Sequence, residues 1–159
     1  PMAEAGAGVG TLLAAAGDAW AAKAGGTSGV LWGQALRAAG AVIGDQAEVV
    51  DAAAVARSVR AGAQMMQTLG KASLGDKTML DVLIPIHECF LPDNTAGKTL
   101  FEVLQEASKA AGDGVNYTKT IAARKGRASL VGERSIGIED PGAVSSMVMY
   151  RALYQFLKH

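Results

Sequence analysis

Hydrophobic positions along this chain recur at helical spacing. Met79, Val82, Leu83, Ile86 and Phe90 stand at i, i+3, i+4, i+7 and i+11, which is one apolar stripe of an α-helix, with Pro85 inside it as a candidate kink. Leu31, Ala35, Ala38 and Val42 repeat the pattern, as do Val55, Val59, Ala63 and Met66. Leu100, Val103, Leu104, Ala107 and Ala111 form a further stripe, and Met147, Tyr150, Leu153, Tyr154 and Leu157 a terminal one. Residues 10–24, GTLLAAAGDAWAAKA, are helical by alanine propensity, and another short helix is predicted over about 113–123. No convincing period-2 alternation marks a strand. The pattern predicts an all-α domain of seven helices, with no internal repeat and no second domain.

Between the stripes lie glycine-rich breaks: GGTSG at 25–29, GKASLGDKT at 70–78, LPDNTAG at 91–97, and the long polar stretch RKGRASLVGERSIGIEDPGAVSS at 124–146. Thr27 or Ser28 is a candidate cap for the second helix, and Asn94 or Thr95 for the one after LPDNTAG. Thr27, Ser28, Gly70, Asp76 to Met79, Arg127 and Asp140 to Gly142 all fall in such breaks. A helix start leaves backbone N–H groups without partners, and glycine lets a ligand come close to them. Together these make a generic anion or phosphate site. Ordinary caps and turns would give the same composition, so the residues alone leave the two readings balanced. Glu133 and Arg134 are expected to hold their loop's own shape, as a charge pair or cap.

Composition narrows the classes. The chain has 159 residues, half of them hydrophobic, and a formal net charge of zero. That is enough for one core, and no global field draws the chain to nucleic acid or to an anionic membrane. Arg124, Lys125 and Arg127 have no aromatic interleaving, so no nucleic-acid partner is expected. No run approaches the roughly 20 apolar residues of a membrane span. The first ten residues carry Glu4 and no basic residue, unlike a signal peptide. Cys89 is a single cysteine, which fits a reducing, cytoplasmic setting. GAGVG at 6–10 lacks the strand and spacing of a dinucleotide fingerprint, and GKAS and GDKT lack the upstream glycine and strand of a P-loop. His87 reads as a partly buried structural histidine and His159 as solvated. With one cysteine they give no zinc spacing. Asp18 in its alanine helix faces a polar rim or solvent, and the methionines read as core.

Three strings, GGTSGVLWG (25–33), GDKTMLDVLIPIHECF (75–90) and ARKGRASLVGERSIGIEDPGAVSSMVM (123–149), resemble the nucleotide-binding domain of dihydroxyacetone kinases, the L domain or L subunit. The resemblance runs from about residue 10 to the end and keeps the loops in family order. It implies an antiparallel barrel of eight helices around an apolar interior able to hold lipid, with ATP or ADP on the helix-to-helix loops at one rim. Thr27 and Ser28 would lie at the phosphates, Gly70 and Met79 on the adenine side, Arg127 on the nucleotide, and Asp140, Pro141 and Gly142 as another wall. A soft thioether suits an adenine face, and a guanidinium suits phosphate.

The family's aspartate cluster, which holds Mg²⁺ on the phosphates, is missing from this sequence. Seven helices against eight, and a start at Pro1, lead to the expectation that the chain is a piece lacking the first helix and the metal loop, and inactive by itself. The resemblance implies transfer of the γ-phosphoryl group of ATP to dihydroxyacetone or a related short hydroxyketone, in concert with a substrate-binding kinase domain in the same chain or a separate subunit. A homo-oligomer is expected. Two alternatives stand beside this reading. One is the ADP-containing subunit of a phosphotransferase-system-dependent dihydroxyacetone kinase, and the other a non-catalytic lipid- or partner-binding helical barrel.

Overall fold

The computed structural model describes residues 6–46 and 50–157, and among them every regular element is helical. The chain divides into two units, Pro1–Lys71 and Ala72–His159.

The first unit holds α1 (Val9–Ala24), α2 (Gly26–Ile43) and α3 (Ala52–Gly70). A single residue, Gly25, separates α1 from α2 and turns the chain at φ 61°, a left-handed angle that glycine adopts without penalty. The two helices then run back along each other with glycine facing glycine. A Cβ on Gly33 would stand 2.6 Å from the Gly17 carbonyl oxygen, and one on Gly40 would stand 2.7 Å from that of Gly10. Both pairs are symmetric about Gly25. The backbones therefore touch directly, which larger residues would prevent. Asp45 closes the far end, accepting from Thr11 N at 2.7 Å and Thr11 Oγ1 at 2.6 Å. Asp18 is exposed and paired with Arg37 across the hairpin, which settles its environment. α3 begins at Asp51, whose carboxylate accepts from Ala54 N at 2.6 Å. Gly62 lies on Ala35 of α2.

The second unit holds α4 (Leu80–Cys89), the short turn α5 (Pro92–Thr95), α6 (Leu100–Thr120) and α7 (Pro141–Leu157). Two four-residue 3₁₀ turns, Arg127–Leu130 and Gly132–Ser135, lie between α6 and α7. Its core is Leu80, Val82, Ile86 and Phe90 with Val103, Leu104, Ala107, Ala111, Val115 and Ala143. Most of the stripes at 79–90 and 100–111 thus face inward as their spacing predicts, while Leu83 is half-buried and Leu100, at the start of α6, is exposed.

Three boundaries differ from the sequence expectation. The helices expected over 100–111 and 113–123 are one, because Gly112 and Gly114 are packing positions. A Cβ on Gly114 would collide with the Asp81 carbonyl oxygen of α4, and one on Gly112 would stand 2.9 Å from Arg151 Nη2. The cap of α6 is Thr99, in a reciprocal box with Glu102, while Asn94 Nδ2 donates to Glu88 O at the end of α4. The terminal helix starts at Pro141, several residues before its apolar stripe becomes regular. No helix among the described residues is long and apolar enough to cross a membrane.

Candidate functional site

In the first unit the expected phosphate-side residues sit at the start of α2. Thr27 and Ser28 do not cap it. They lie inside its first turn, exposed, and the N-cap position is Gly25 with no side-chain cap bond. The helix's first backbone bond is Gly29 N to Gly25 O, at 3.1 Å. The N–H groups of that first turn and the two hydroxyls therefore open outward from a glycine start, which is the arrangement an anion needs. Gly70 is the last residue of α3. A Cβ there would lie 3.7 Å from Leu31, one turn into α2, so Gly70 and the start of α2 share one end of the unit.

In the second unit the GDKTMLD turn leads into α4. Asp81 is fully buried and accepts from Gly75 N at 2.6 Å and Thr78 N at 2.7 Å, so its carboxylate shapes the turn just ahead of the helix. Met79 is the residue immediately before α4, itself buried. Gly142 comes within reach of it, with a Cβ there falling 3.5 Å from Met79 N. Asp140 caps α7 through Ala143 N at 2.8 Å, and Pro141 takes the first helical position, where its missing N–H costs nothing. Asp140 to Gly142 are thus a helix start placed against the start of α4. Burial pushes the Asp140 carboxyl above its ordinary range, against the pull of the Ala143 and Gly142 N–H groups, and the Asp81 carboxylate adds to the rise.

Arg127 stands apart from this cluster. It is exposed at the head of the first 3₁₀ turn, after Gly126 at φ 66°. Glu133 and Arg134 are exposed in the second turn, and the loop's shape comes from elsewhere. Ser135 Oγ accepts from Ala123 N and donates to Gly132 O, Gly137 N donates to Lys119 O, and Arg124 N to Asp76 O. The buried Lys77 ammonium donates to four carbonyl oxygens at the loop's base.

Sequence reasoning gives no role to Asp81, Thr118 or Ser135 and places Lys77 only within the break at 76–79, as part of a generic anion site; all four are buried polar groups. The signal available is a lysine and an aspartate four apart at a helix start, set in a string that lacks the rest of a P-loop.

The Asp81 and Asp140 carboxylates do not fit Mg²⁺. Both oxygens of Asp81 accept backbone N–H groups, and Asp140 is held as a cap. Among the described residues no three His, Cys, Asp or Glu side chains group as metal ligands. The first unit offers an open helix start and the second an unshielded guanidinium, and each by itself suits an anionic ligand.

Comparison with known proteins points the same way. A DAK2 domain model matches residues 2–155. The L-erythrulose kinase of Pectobacterium atrosepticum is 41% identical over 152 residues, covering 96% of this chain and 26% of that enzyme. The ADP-binding subunit DhaL of the PEP-dependent dihydroxyacetone kinase of Escherichia coli is 38% identical over 146 residues, covering 91% of this chain and 69% of the subunit. Among solved structures, the dihydroxyacetone kinase of C. freundii in complex with AMP-PNP and Mg²⁺ superposes with a TM-score of 0.68 at 28% identity, over 93% of this chain and 23% of that one. The chain spans about a quarter of the length of the first kinases it matches.

Proposed function

Since the chain belongs to the DAK2 domain family, we propose that it is the nucleotide-binding part of a kinase that moves the γ-phosphoryl group of ATP to dihydroxyacetone or a related short hydroxyketone. The observation that carries this reading is the extent of the family match. Residues 2–155 include both the uncapped start of α2 and the loop of Arg127.

In the first unit, the α2 N–H groups with Thr27 and Ser28 receive phosphate oxygens, and Gly70 keeps its end of the unit low for the adenine side. In the second, Met79 offers a soft apolar contact to adenine, Arg127 pairs with phosphate, and Asp140 to Gly142 form a wall. Phosphoryl transfer consists mostly of positioning and charge neutralisation, so oriented donors are what a nucleotide half supplies. Mg²⁺, when bound in a kinase of this kind, neutralises charge on the phosphates, and its ligands lie outside the carboxylates described above. A substrate-binding kinase domain or subunit completes the reaction.

The similarity to a free-standing ADP-binding subunit, over 69% of that subunit's length, favours a second form of the same reading. In it, this chain keeps ADP as a resident cofactor that a phosphotransferase partner recharges.

The test is calorimetric titration of ADP into the wild-type chain and Arg127→Ala. Loss of a charge-assisted contact at an exposed residue predicts affinity weaker by about tenfold with an unchanged melting temperature. Equal affinities would count against the assignment of Arg127.

A further inference from the structure

Lys77 makes no contact in the nucleotide reading, yet its ammonium is the hub of the second unit. The side chain is 3% exposed. Nζ lies 2.7 Å from Thr118 O, 3.1 Å from Ile121 O, 2.6 Å from Ser135 O and 2.7 Å from Ile138 O. All four partners are backbone carbonyls. An ammonium has three protons, so one is shared, and the longest contact, to Ile121, fits that role. The backbone reaches this arrangement at a cost, since Lys77 itself adopts φ 61°, a left-handed angle disfavoured for a residue with a side chain.

The four carbonyls come from two places in the chain. Thr118 and Ile121 are where α6 ends and the polar loop departs, and Ser135 and Ile138 are where it returns. Everything between them, Arg127 included, hangs from that base. Carbonyl oxygens converging on one small cation are also how proteins hold potassium.

We propose that Lys77 is a positioning residue, a tethered monovalent cation in a carbonyl cage. It joins the two ends of the 121–138 loop and so sets nucleotide affinity without touching the nucleotide. The affinity part rests on the reading of Arg127 given above, and the cage part does not.

The experiment compares the full wild-type chain with Lys77→Ala and Lys77→Arg by amide hydrogen exchange and ADP calorimetry. Each is run in choline chloride and in ammonium or potassium chloride at equal ionic strength. In choline, folded Lys77→Ala is expected to exchange faster at Ala123, Arg124 and Gly137 by about tenfold or more, with the mid-α7 amides unchanged. ADP affinity falls by a similar factor. Ammonium or potassium restores both, because either ion fits the vacated cage and choline does not. Lys77→Arg, whose planar fork does not match four converging oxygens, stays loosened in every salt.

Unchanged loop exchange in folded Lys77→Ala overturns the cage, as does loosening that neither cation reverses. If Lys77→Ala does not fold in choline, folding restored by ammonium supports the cage, and failure to fold in ammonium overturns it. In the wild type, the Lys77 ammonium should give a slowly exchanging ¹⁵N–¹H resonance, and its absence under conditions where other buried groups are protected would also overturn the cage. Should wild type bind no ADP, the affinity part falls together with the Arg127 reading, while exchange and cation rescue still decide the cage.

Discussion

The α1–α2 hairpin and the α4–α6–α7 unit reach tight packing by opposite means. The hairpin removes atoms. Gly10, Gly17, Gly33 and Gly40 bring two backbones into contact, and few long side chains are buried between them. The second unit buries polar atoms and satisfies most of them, His87 Nδ1 being buried without a partner. Lys77, Asp81, Thr118 and Ser135 are buried, and every one of them bonds to backbone. In the first region, tolerance is set by volume, because there is nowhere to put a methyl group. In the second, tolerance is set by partners, because a buried polar group left alone costs more than the bond it made.

Asp81→Ala should have the largest effect. It strips the acceptors from Gly75 N and Thr78 N inside a closed unit, at about 2–4 kcal/mol. Urea unfolding would read this as a lower midpoint with an unchanged slope. A loss below about 1 kcal/mol would break the claim that partners govern this unit.

Gly33→Ala comes next, at about 1–3 kcal/mol, because its methyl group would meet the Gly17 carbonyl and Ala21 Cβ. The companion change Gly25→Ala meets no atom but is strained by its φ of 61°, so comparing the two melting temperatures separates crowding from backbone strain.

The smallest effect, and one that depends on pH, is at Asp45. Its hydrogen bonds from the Thr11 side chain and backbone hold its carboxyl below the ordinary value of 3.8. A depressed folded value means the contribution is present above that ordinary value and disappears as pH falls through the lower one. Asp45→Asn should therefore melt lower than wild type at neutral pH and converge with it in strong acid. A gap that persists at low pH would mean that shape, and not charge, closes the hairpin.

The same contrast explains what is legible in the sequence. Apolar stripes such as Val103, Leu104, Ala107 and Ala111 announce their helix because burial on one face imposes a period. Gly112 and Gly114 suggest a break instead, because a glycine that ends a helix and a glycine that admits a neighbouring backbone look alike in one dimension. Only the Asp81 carbonyl against Gly114 tells them apart. Thr27, Ser28, Gly70, Met79, Arg127 and Asp140 to Gly142 stand out by resemblance to a family, supported by their position in breaks. Lys77 lies in such a break too, but its place as a hub does not show there, because its partners are carbonyls, which every residue has, and no side-chain pattern encodes them.

The one-residue turn at Gly25 also bears on how the chain assembles. It pairs glycines that are close in sequence, so the hairpin forms with little loop to close. The loop held by Lys77, in contrast, waits for partners more than forty residues further along. During synthesis the first helices can dock while later parts are still unmade, and a change at the turn should slow folding more than it speeds unfolding.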